Sequence, residues 1–475
     1  MSNRFTVTYG DGIGPEIMNS VLKILKYAKV GLQPDIIKIG QGMYNKGFVS
    51  GIADNNWDII KRNKAFLKAP ITTPLKDGYK SINVTLRRAL ELFVNIRSSL
   101  SYYPIVSPLK NTNIVIIREN EEDLYSGIEY KITPNSTIAM KLLSIPACKK
   151  IIRYSFEYAK LNNRHKITCI TQSNIMRITE GCFRDIFFRI ASEYSSIKAE
   201  HILADTAFAQ LITKPQNFDV IVTLNLYGDL MSKMLSVLSG SIGLTGSVNI
   251  GQKYAMFETV HGSAMNIAGQ NVANPSGLLN SAIMMLRFLK KNQVAEIIHN
   301  ALLRTIEDGL HTIDIYNVKK SKKQLTTSEF TDAIINNLGQ KPQILANQNT
   351  YLVTPNIAVK MTDPSCVRSK LVGVDFFIRV SFDYELINKL QSLNNNLQLQ
   401  MVSSKGLVIW PKQLIKPRID FYRFRFLKTC HTTTISQVNI LELSRDITHL
   451  GLNILSTINL YSHDHSKGFS TAQGE

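Results

Sequence analysis

Over residues 1 to about 335, short apolar runs rich in β-branched residues alternate with longer amphipathic segments. FTVT (5–8), NIVIIREN (113–120), KITCIT (166–171) and FDVIVTLN (218–225) read as buried strands. NVTLRRALELFVNI (83–96), ACKKIIRYSFEYAKL (147–161) and PSGLLNSAIMMLRFL (275–289) carry one apolar face at the 3.6-residue period and read as helices. The alternation predicts an α/β region. A further helix is predicted to open at NLYGDLMSK (225–233), with Asp229 on its first turn.

Around 340 to 365 the texture changes. Pro342, Pro355 and Pro364 punctuate a stretch bearing Asn and Gln, which reads as a linker. The boundaries expected are a region 1–338, a linker 339–366 and a module 367–475. In the module, LVGVDFFIRV, FDYELINKLQSL, LQLQMVSS, FYRFRFLK, VNILELSRDITHLGL and ILSTINLY give strand, helix, strand, strand, helix, strand. That βαββαβ order is the ferredoxin-like pattern of an α+β module. It holds no catalytic constellation, so oligomerisation or another interaction is its expected role.

Composition narrows the class. Of 475 residues, 44% are hydrophobic and 19% charged, which suits a globular protein with substantial cores. No apolar run reaches the roughly eighteen residues of a membrane span, so no membrane contact is expected. The chain enters its first strand at Phe5 without a signal or transit peptide. Five scattered cysteines suggest neither a disulfide framework nor a zinc site, and a reducing cytoplasm is the expected setting. The net charge of +19 would draw anions. Its Lys and Arg are spread along the chain, mainly on solvated helix faces. The one basic run with aromatics, FYRFRF (421–426), reads as an alternating strand, so no nucleic-acid partner is expected.

Several motifs carry candidate chemistry. YGDGIGPEIM (9–18) is a glycine turn leading into a helix with Pro15 at its first position, not a dinucleotide fingerprint. In 70–97, Thr72 and Thr73 offer hydroxyls in a loop, and Ser81 and Asn83 precede a helix N-terminus that favours anions. Arg87 and Arg97 would share adjacent faces if that helix persisted. With Arg118 they could clamp several carboxylates through forked hydrogen bonds. Tyr125, in the acidic loop RENEEDLYSGIEY, is either a buried hydrogen-bonded phenol or a general acid near cations. Asp205 is either a helix N-cap or a metal ligand together with Asp229. A second carboxylate four residues after Asp229 could complete a divalent site from adjacent turns, but Lys233 stands there. The small residues of 255–277, with Glu258, His261 and Asn274, would let a flat ligand approach the backbone.

Together DGIGPEI, APITTP, KSINVTLR, IIRENEEDLYSGIEY, FDVIVTLNLYGD and VHGSA…IAG…VANPSG resemble the isocitrate and isopropylmalate dehydrogenase family, in order, through roughly residues 5 to 335. The C-terminal module and the STAQGE ending resemble the longer bacterial isocitrate dehydrogenases. The resemblance implies that family's two-domain fold and a homodimer with shared active sites. It implies isocitrate as substrate, NADP or NAD as cofactor, and Mg²⁺ or Mn²⁺. Ser81, Asn83, Arg87, Arg97 and Arg118 would bind the carboxylates, Asp229 and the partner subunit's Asp205 the metal, and Tyr125 would protonate the enolate. The nucleotide would lie on Thr73 and a loop bearing Glu258, His261, Gly262, Ser263, Ala264 and Asn274. SINVTLR is similar to the isocitrate type; the isopropylmalate type is expected to be apolar at Ser81 and Asn83.

The chain departs from the family at two catalytic positions. Gln172 stands where the family has a Lys that helps take the 2-hydroxyl proton, and Gln does not titrate. Lys233 replaces the second helix carboxylate. Ser98 and Met265 replace prolines, and Lys76 and Asp77 interrupt a glycine-rich turn. Asn266 and Ile267 stand where NADP enzymes often carry Lys and Tyr, which favours NAD, whereas the long bacterial form is generally NADP-dependent. Two outcomes follow: a dehydrogenase slowed at Gln172 and Lys233, or a homologue that binds a tricarboxylate or a partner without turnover.

Overall fold

A computed structural model describes residues 3–74, 81–345, 368–380, 383–393, 396–411, 419–429, 435–464 and 466–472. Lys76, Asp77 and most of the expected linker lie outside these residues. By contact the chain divides into Met1–Ser126 with Lys141–Thr362, and Gly127–Met140 with Asp363–Glu475.

The first unit is built on a ten-stranded sheet. From edge to edge its strands are Gln33–Ile36, Arg4–Thr8, Ala65–Lys68, Ala255–Thr259, Gly246–Ile250, Val94–Leu100, Asn113–Glu119, Val220–Thr223, Lys166–Thr171 and Lys198–Leu203. Pairing is parallel toward both edges. Gly246–Ile250 and Val94–Leu100 run antiparallel to their neighbours at the centre. Strands covered on both faces need no polar alternation; the stretches 114–117 and 220–222 are correspondingly apolar and buried. Helices Gly14–Tyr27, Ile145–Leu161, Thr179–Ala191 and Ser276–Phe288 turn apolar faces into the main core.

One expected element splits in two. The run 83–96 is helical only through Ala89, and Val94 already begins a strand. Glu91, with φ 51°, turns the chain between them. The β-branched Val94 and Ile96 then fill the sheet core, and strand pairing there overrides helical periodicity. Arg87 therefore sits on a helix and Arg97 on a strand.

The glycine turn is structural. Pro15 falls in the first turn of helix Gly14–Tyr27. Gly12 has φ 60°, and a Cβ there would stand 1.9 Å from the Ser263 carbonyl oxygen. Only glycine permits that approach.

The second unit contains a six-stranded antiparallel sheet. Its order is Leu407–Trp410, Leu397–Ser404, Tyr422–Lys428, Ser369–Arg379, Asn453–His463 and Ser466–Lys467. The four expected strands take the ferredoxin-like order, with helices Tyr384–Gln391 and Gln437–His449 packed into its core. The two short edge strands, of four and two residues, carry too little periodicity to be read from sequence. Within Tyr422–Lys428 the alternation is incomplete: Arg425 is buried along with Phe424 and Phe426.

Candidate active site

Residues of five strands and two helices, all within the first unit, converge on a cavity of about 210 Å³. Ser81, Asn83, Arg87, Arg97, Arg118, Tyr125, Asp229, Glu258, His261 and Gly262, all singled out from sequence, line it. So do Lys68 and Lys233.

Asp229 is the hub. Its Oδ1 accepts from Arg97 Nη1 at 2.9 Å and Arg118 Nη1 at 2.6 Å. Its Oδ2 accepts from Lys233 Nζ at 2.8 Å and the Tyr125 hydroxyl at 3.1 Å. Burial would raise its pKa, but Arg118, Arg97 and Lys233 more than offset this and hold the carboxyl well below the usual range. Asp229 stands on the second turn of helix Asn225–Leu238, not the first. The helix begins at Asn225, whose carbonyl and side-chain oxygens accept from Arg118 at 2.7 to 3.1 Å. Gly228 completes the seat, because a Cβ there would lie 2.6 Å from Arg118 Cγ.

Arg97 and Arg118 are held by neutral groups as well as by charge. Arg97 donates to Asn95 Oδ1 and Ser232 Oγ. Desolvation lowers the pKa of both Arg97 and Arg118, the latter to about 9, and neighbouring guanidinium groups add to the effect. Both remain cationic at neutral pH. The sequence expectation that basic residues lie mainly on solvated faces does not hold here, since Arg87, Arg97, Arg118 and Lys68 are all buried.

A second ion-pair cluster supports Arg87. Glu258 accepts from Arg87 Nη2 at 2.9 Å, Lys68 Nζ at 2.8 Å and Asn249 Nδ2 at 2.8 Å. Lys68 and Arg87 hold its carboxyl well below the usual range despite burial. Sequence reading passed over Lys68. No local signal marked it: the demand for a partner comes from the full burial of strand Ala65–Lys68, which only the fold reveals.

Two polar atoms facing this region have no partner: Asn83 Oδ1 and Arg87 Nε are buried and unbonded. Native interiors rarely leave such atoms unsatisfied, so both point to a ligand. Tyr125 lies on the strand Asp123–Thr133, not in a loop, with the Arg118 guanidinium 5.1 Å from its ring centre. Desolvation and then Asp229 raise its pKa, so the phenol stays protonated and acts as a donor.

Thr73 Oγ1 is 3.5 Å from Ser81 Oγ. Ser263 Oγ accepts from Thr72 at 2.8 Å, and Ala264 adopts φ 40°. Gly262 has open space where a side chain would be. Desolvation lowers the His261 pKa. Buried Asn274 bonds Asp314 and the Ser276 amide, fixing the start of helix Ser276–Phe288. Gln172 and Asp205 are outside the cavity and bonded to one another, Nε2 to Oδ2 at 3.1 Å. Asp205 is inside the first turn of helix Ala204–Thr213, after Leu203 at the cap, so it is not the N-cap. The hydrogen bond from Gln172, then those from Thr206, lowers its pKa.

The model of the isocitrate/isopropylmalate dehydrogenase family matches residues 4–334, and that of the bacterial isocitrate dehydrogenase C-terminal domain matches 369–475. The chain belongs to the isocitrate/isopropylmalate dehydrogenase family. It has the long bacterial form of isocitrate dehydrogenase, with the C-terminal extension. It is 47% identical to isocitrate dehydrogenase [NADP] of Rickettsia bellii, over 99% of both chains. It is 38% identical to isocitrate dehydrogenase [NADP] of Thermus thermophilus, over 99% of this chain and 95% of the other. The crystal structure of the TT0538 protein from Thermus thermophilus superposes with a TM-score of 0.92 at 37% identity, covering 99% of this chain and 96% of that one. Isocitrate dehydrogenase from Methylococcus capsulatus covers 72% of this chain and all of its own, with a TM-score of 0.68 at 36% identity. In this dehydrogenase fold the cavity lies among strands Ala65–Lys68, Ala255–Thr259, Val94–Leu100, Asn113–Glu119 and Asp123–Thr133 and helices Ile82–Ala89 and Asn225–Leu238. No helix among the described residues is long and apolar enough to cross a membrane.

Proposed function

We propose that this dehydrogenase carries out the NAD(P)-dependent oxidative decarboxylation of isocitrate to 2-oxoglutarate and CO₂, as a cytoplasmic homodimer slowed at Gln172. The observation that carries the reading is the convergence of Arg87, Arg97 and Arg118 on one cavity with Ser81, Asn83 and Tyr125. The three guanidinium groups bind the substrate carboxylates, oriented by Asp229 and Glu258. Ser81 and Asn83 supply polar contacts to a third carboxylate, where isopropylmalate would need apolar ones.

In the reaction the 2-hydroxyl loses its proton and the C2 hydrogen leaves as hydride, which NADP or NAD would accept. The bond to CO₂ then breaks, and its electron pair becomes an enolate. Tyr125, kept protonated by burial and Asp229, delivers the proton to the enolate carbon. Bound NAD(P) supplies the hydride acceptor; the open backbone at Gly262 and the small residues 262–264 suit such a flat ligand.

Isocitrate dehydrogenases use Mg²⁺ or Mn²⁺, which polarises the 2-oxygen as a Lewis acid. One chain by itself does not fit that ion. Among the described residues no three metal-ligating side chains gather, and Asp229 already carries Arg97, Arg118 and Lys233. In a homodimer the partner subunit's Asp205 would supply the second carboxylate. The exposed position of Asp205 beside Gln172, away from its own cavity, supports that arrangement. With Gln172 unable to titrate, proton removal passes to Asp205 or water. Such a loss typically costs on the order of 10² to 10⁴ in rate.

The test is reduction of NAD and of NADP by isocitrate with Mg²⁺ or Mn²⁺, wild type beside the double variant Gln172→Lys, Lys233→Asp. The expected result is slow wild-type turnover and a faster double variant. A double variant no faster than wild type overturns the role given to these positions. No nucleotide reduction by either protein favours the second reading, tricarboxylate binding without turnover, for which Gln172 and Lys233 are the supporting residues.

A further inference from the structure

We propose that Lys233 lets the cavity bind a tricarboxylate trianion without a divalent cation. The proposal rests on the assignment of this cavity to isocitrate. Its substance is a separation of two tasks that a metal ion would otherwise perform together, holding the substrate and polarising it.

The charges decide the case. The lining carries five cations, Lys68, Arg87, Arg97, Arg118 and Lys233, against two carboxylates, Asp229 and Glu258. A ligand with three negative charges neutralises that surplus. A divalent ion added first would raise it to five in a site where two of the guanidinium groups are already almost fully buried. Like charges gathered at close range in a poorly solvated site repel strongly. Lys233 instead brings one positive charge, 2.8 Å from Asp229 Oδ2, on the next turn of the same helix.

Lys233 is also the cation free to move. Arg118 has no exposed side-chain surface and is fixed by Asn225 and Asp229. The Lys233 side chain is 49% exposed, on a flexible stem with three donors on its ammonium. It can hold Asp229 and a ligand carboxylate together, or swing from one to the other. A carboxylate at this helix position would have no such option and would need a metal ion to bring an anion near. Asn83 Oδ1 and Arg87 Nε, buried and without a protein partner, are polar atoms of the lining that such a ligand could engage.

The experiment is titration calorimetry of isocitrate into the full-length protein, once with EDTA and once with excess Mg²⁺, for wild type and Lys233→Asp. Wild type is expected to bind in EDTA with a Kd within about threefold of the Mg²⁺ value. Lys233→Asp is expected to lose roughly tenfold or more in EDTA and to regain affinity with Mg²⁺. Wild-type binding that strengthens more than about threefold with Mg²⁺ overturns the proposal while leaving the isocitrate assignment intact. A Lys233→Asp protein that binds in EDTA as tightly as wild type also overturns it. Absence of binding under both conditions overturns the assignment and the proposal together.

Discussion

Two buried arginine clusters serve opposite ends. In the C-terminal module, Arg425 donates through Nε and Nη2 to both oxygens of Asp375, each at 2.8 Å, and through Nη1 to the Ser470 carbonyl. Phe469 lies 4.7 Å from the guanidinium, and Arg423 approaches only from the rim at 3.7 Å. Forked pairing with one carboxylate and closure by the chain's own tail give a structural ion pair. In the cavity, Arg118 is just as buried and as well bonded, yet Asp229 must serve Arg97, Tyr125 and Lys233 as well. Positive charge is in surplus, polar atoms are unbonded and space remains. Burial of a charge therefore does not mark a site. Convergent charge that the protein leaves uncompensated does.

The comparison can be broken most severely at Arg118. Arg118→Met leaves Asp229 short of its closest donor and, on the proposed function, removes a substrate contact. The expectation is a loss in kcat/KM of isocitrate of about 10³, since truncating one member of a buried charge pair typically costs 2–5 kcal/mol. A loss under about tenfold would place Arg118 among purely structural arginines. The mirror variant, Arg425→Met, is expected to destabilise folding by about 3–4 kcal/mol and leave kcat/KM of the folded enzyme unchanged. Urea melts beside steady-state kinetics read both; an altered kcat/KM with little change in stability would reverse the assignment.

Gln172→Lys alone probes the exposed face on which Asp205 lies. We expect kcat to rise by about 10² and to gain an ionising limb in its pH profile, because a titrating amine replaces an amide. A kcat that is unchanged, or a rise without a new limb, would count against proton transfer at this position.

The smallest effect concerns a buried carboxylate without an arginine. Glu119, next to Arg118 in sequence, accepts only backbone amides from Glu121 and Glu122, and desolvation raises its pKa to about 7. Between pH 4.5 and 7 the folded state thus holds a proton that the unfolded state has lost. Its contribution to stability declines as pH rises through that window, by about 3 kcal/mol at most. Glu119→Gln should flatten the decline in a series of urea melts, and a slope identical to wild type would refute it. Asp229 and Glu258, buried beside cations, shift the opposite way, so the partner and not the burial sets the direction.

Much of the site was legible because its residues fall in contiguous, unusual strings. SINVTLR, RENEEDLYSGIEY and NLYGDL place hydroxyl, amide, guanidinium, phenol and carboxylate groups where strands meet helices. The strands themselves were legible because both-face burial demands unbroken apolar runs such as NIVII and VIV. Lys68 was not legible, since a single lysine after AFL looks like any strand end until Glu258 is found across the sheet. The break after Ala89 was hidden by a helical period that continues through Leu90, Phe93 and Val94, and only pairing with Gly246–Ile250 and Asn113–Glu119 draws the chain into strand. The grouping of Gly127–Met140 with the C-terminal module had no local signal, because it depends on contacts hundreds of residues away.

Residue order alone carried the inventory: an α/β region, a ferredoxin-like module, three arginines fit for carboxylates, Tyr125, Asp229, and a cation at Lys233 where the family resemblance implies an anion. How these charges are shared follows from the packing of the fold. Whether Asp229 meets one guanidinium or two, whether Lys233 turns toward it, and whether Glu258 supports Lys68 and Arg87 are set by side chains from distant segments packed within 3 Å. At that separation, in a site that excludes most water, electrostatic energy depends on geometry far more than on residue identity.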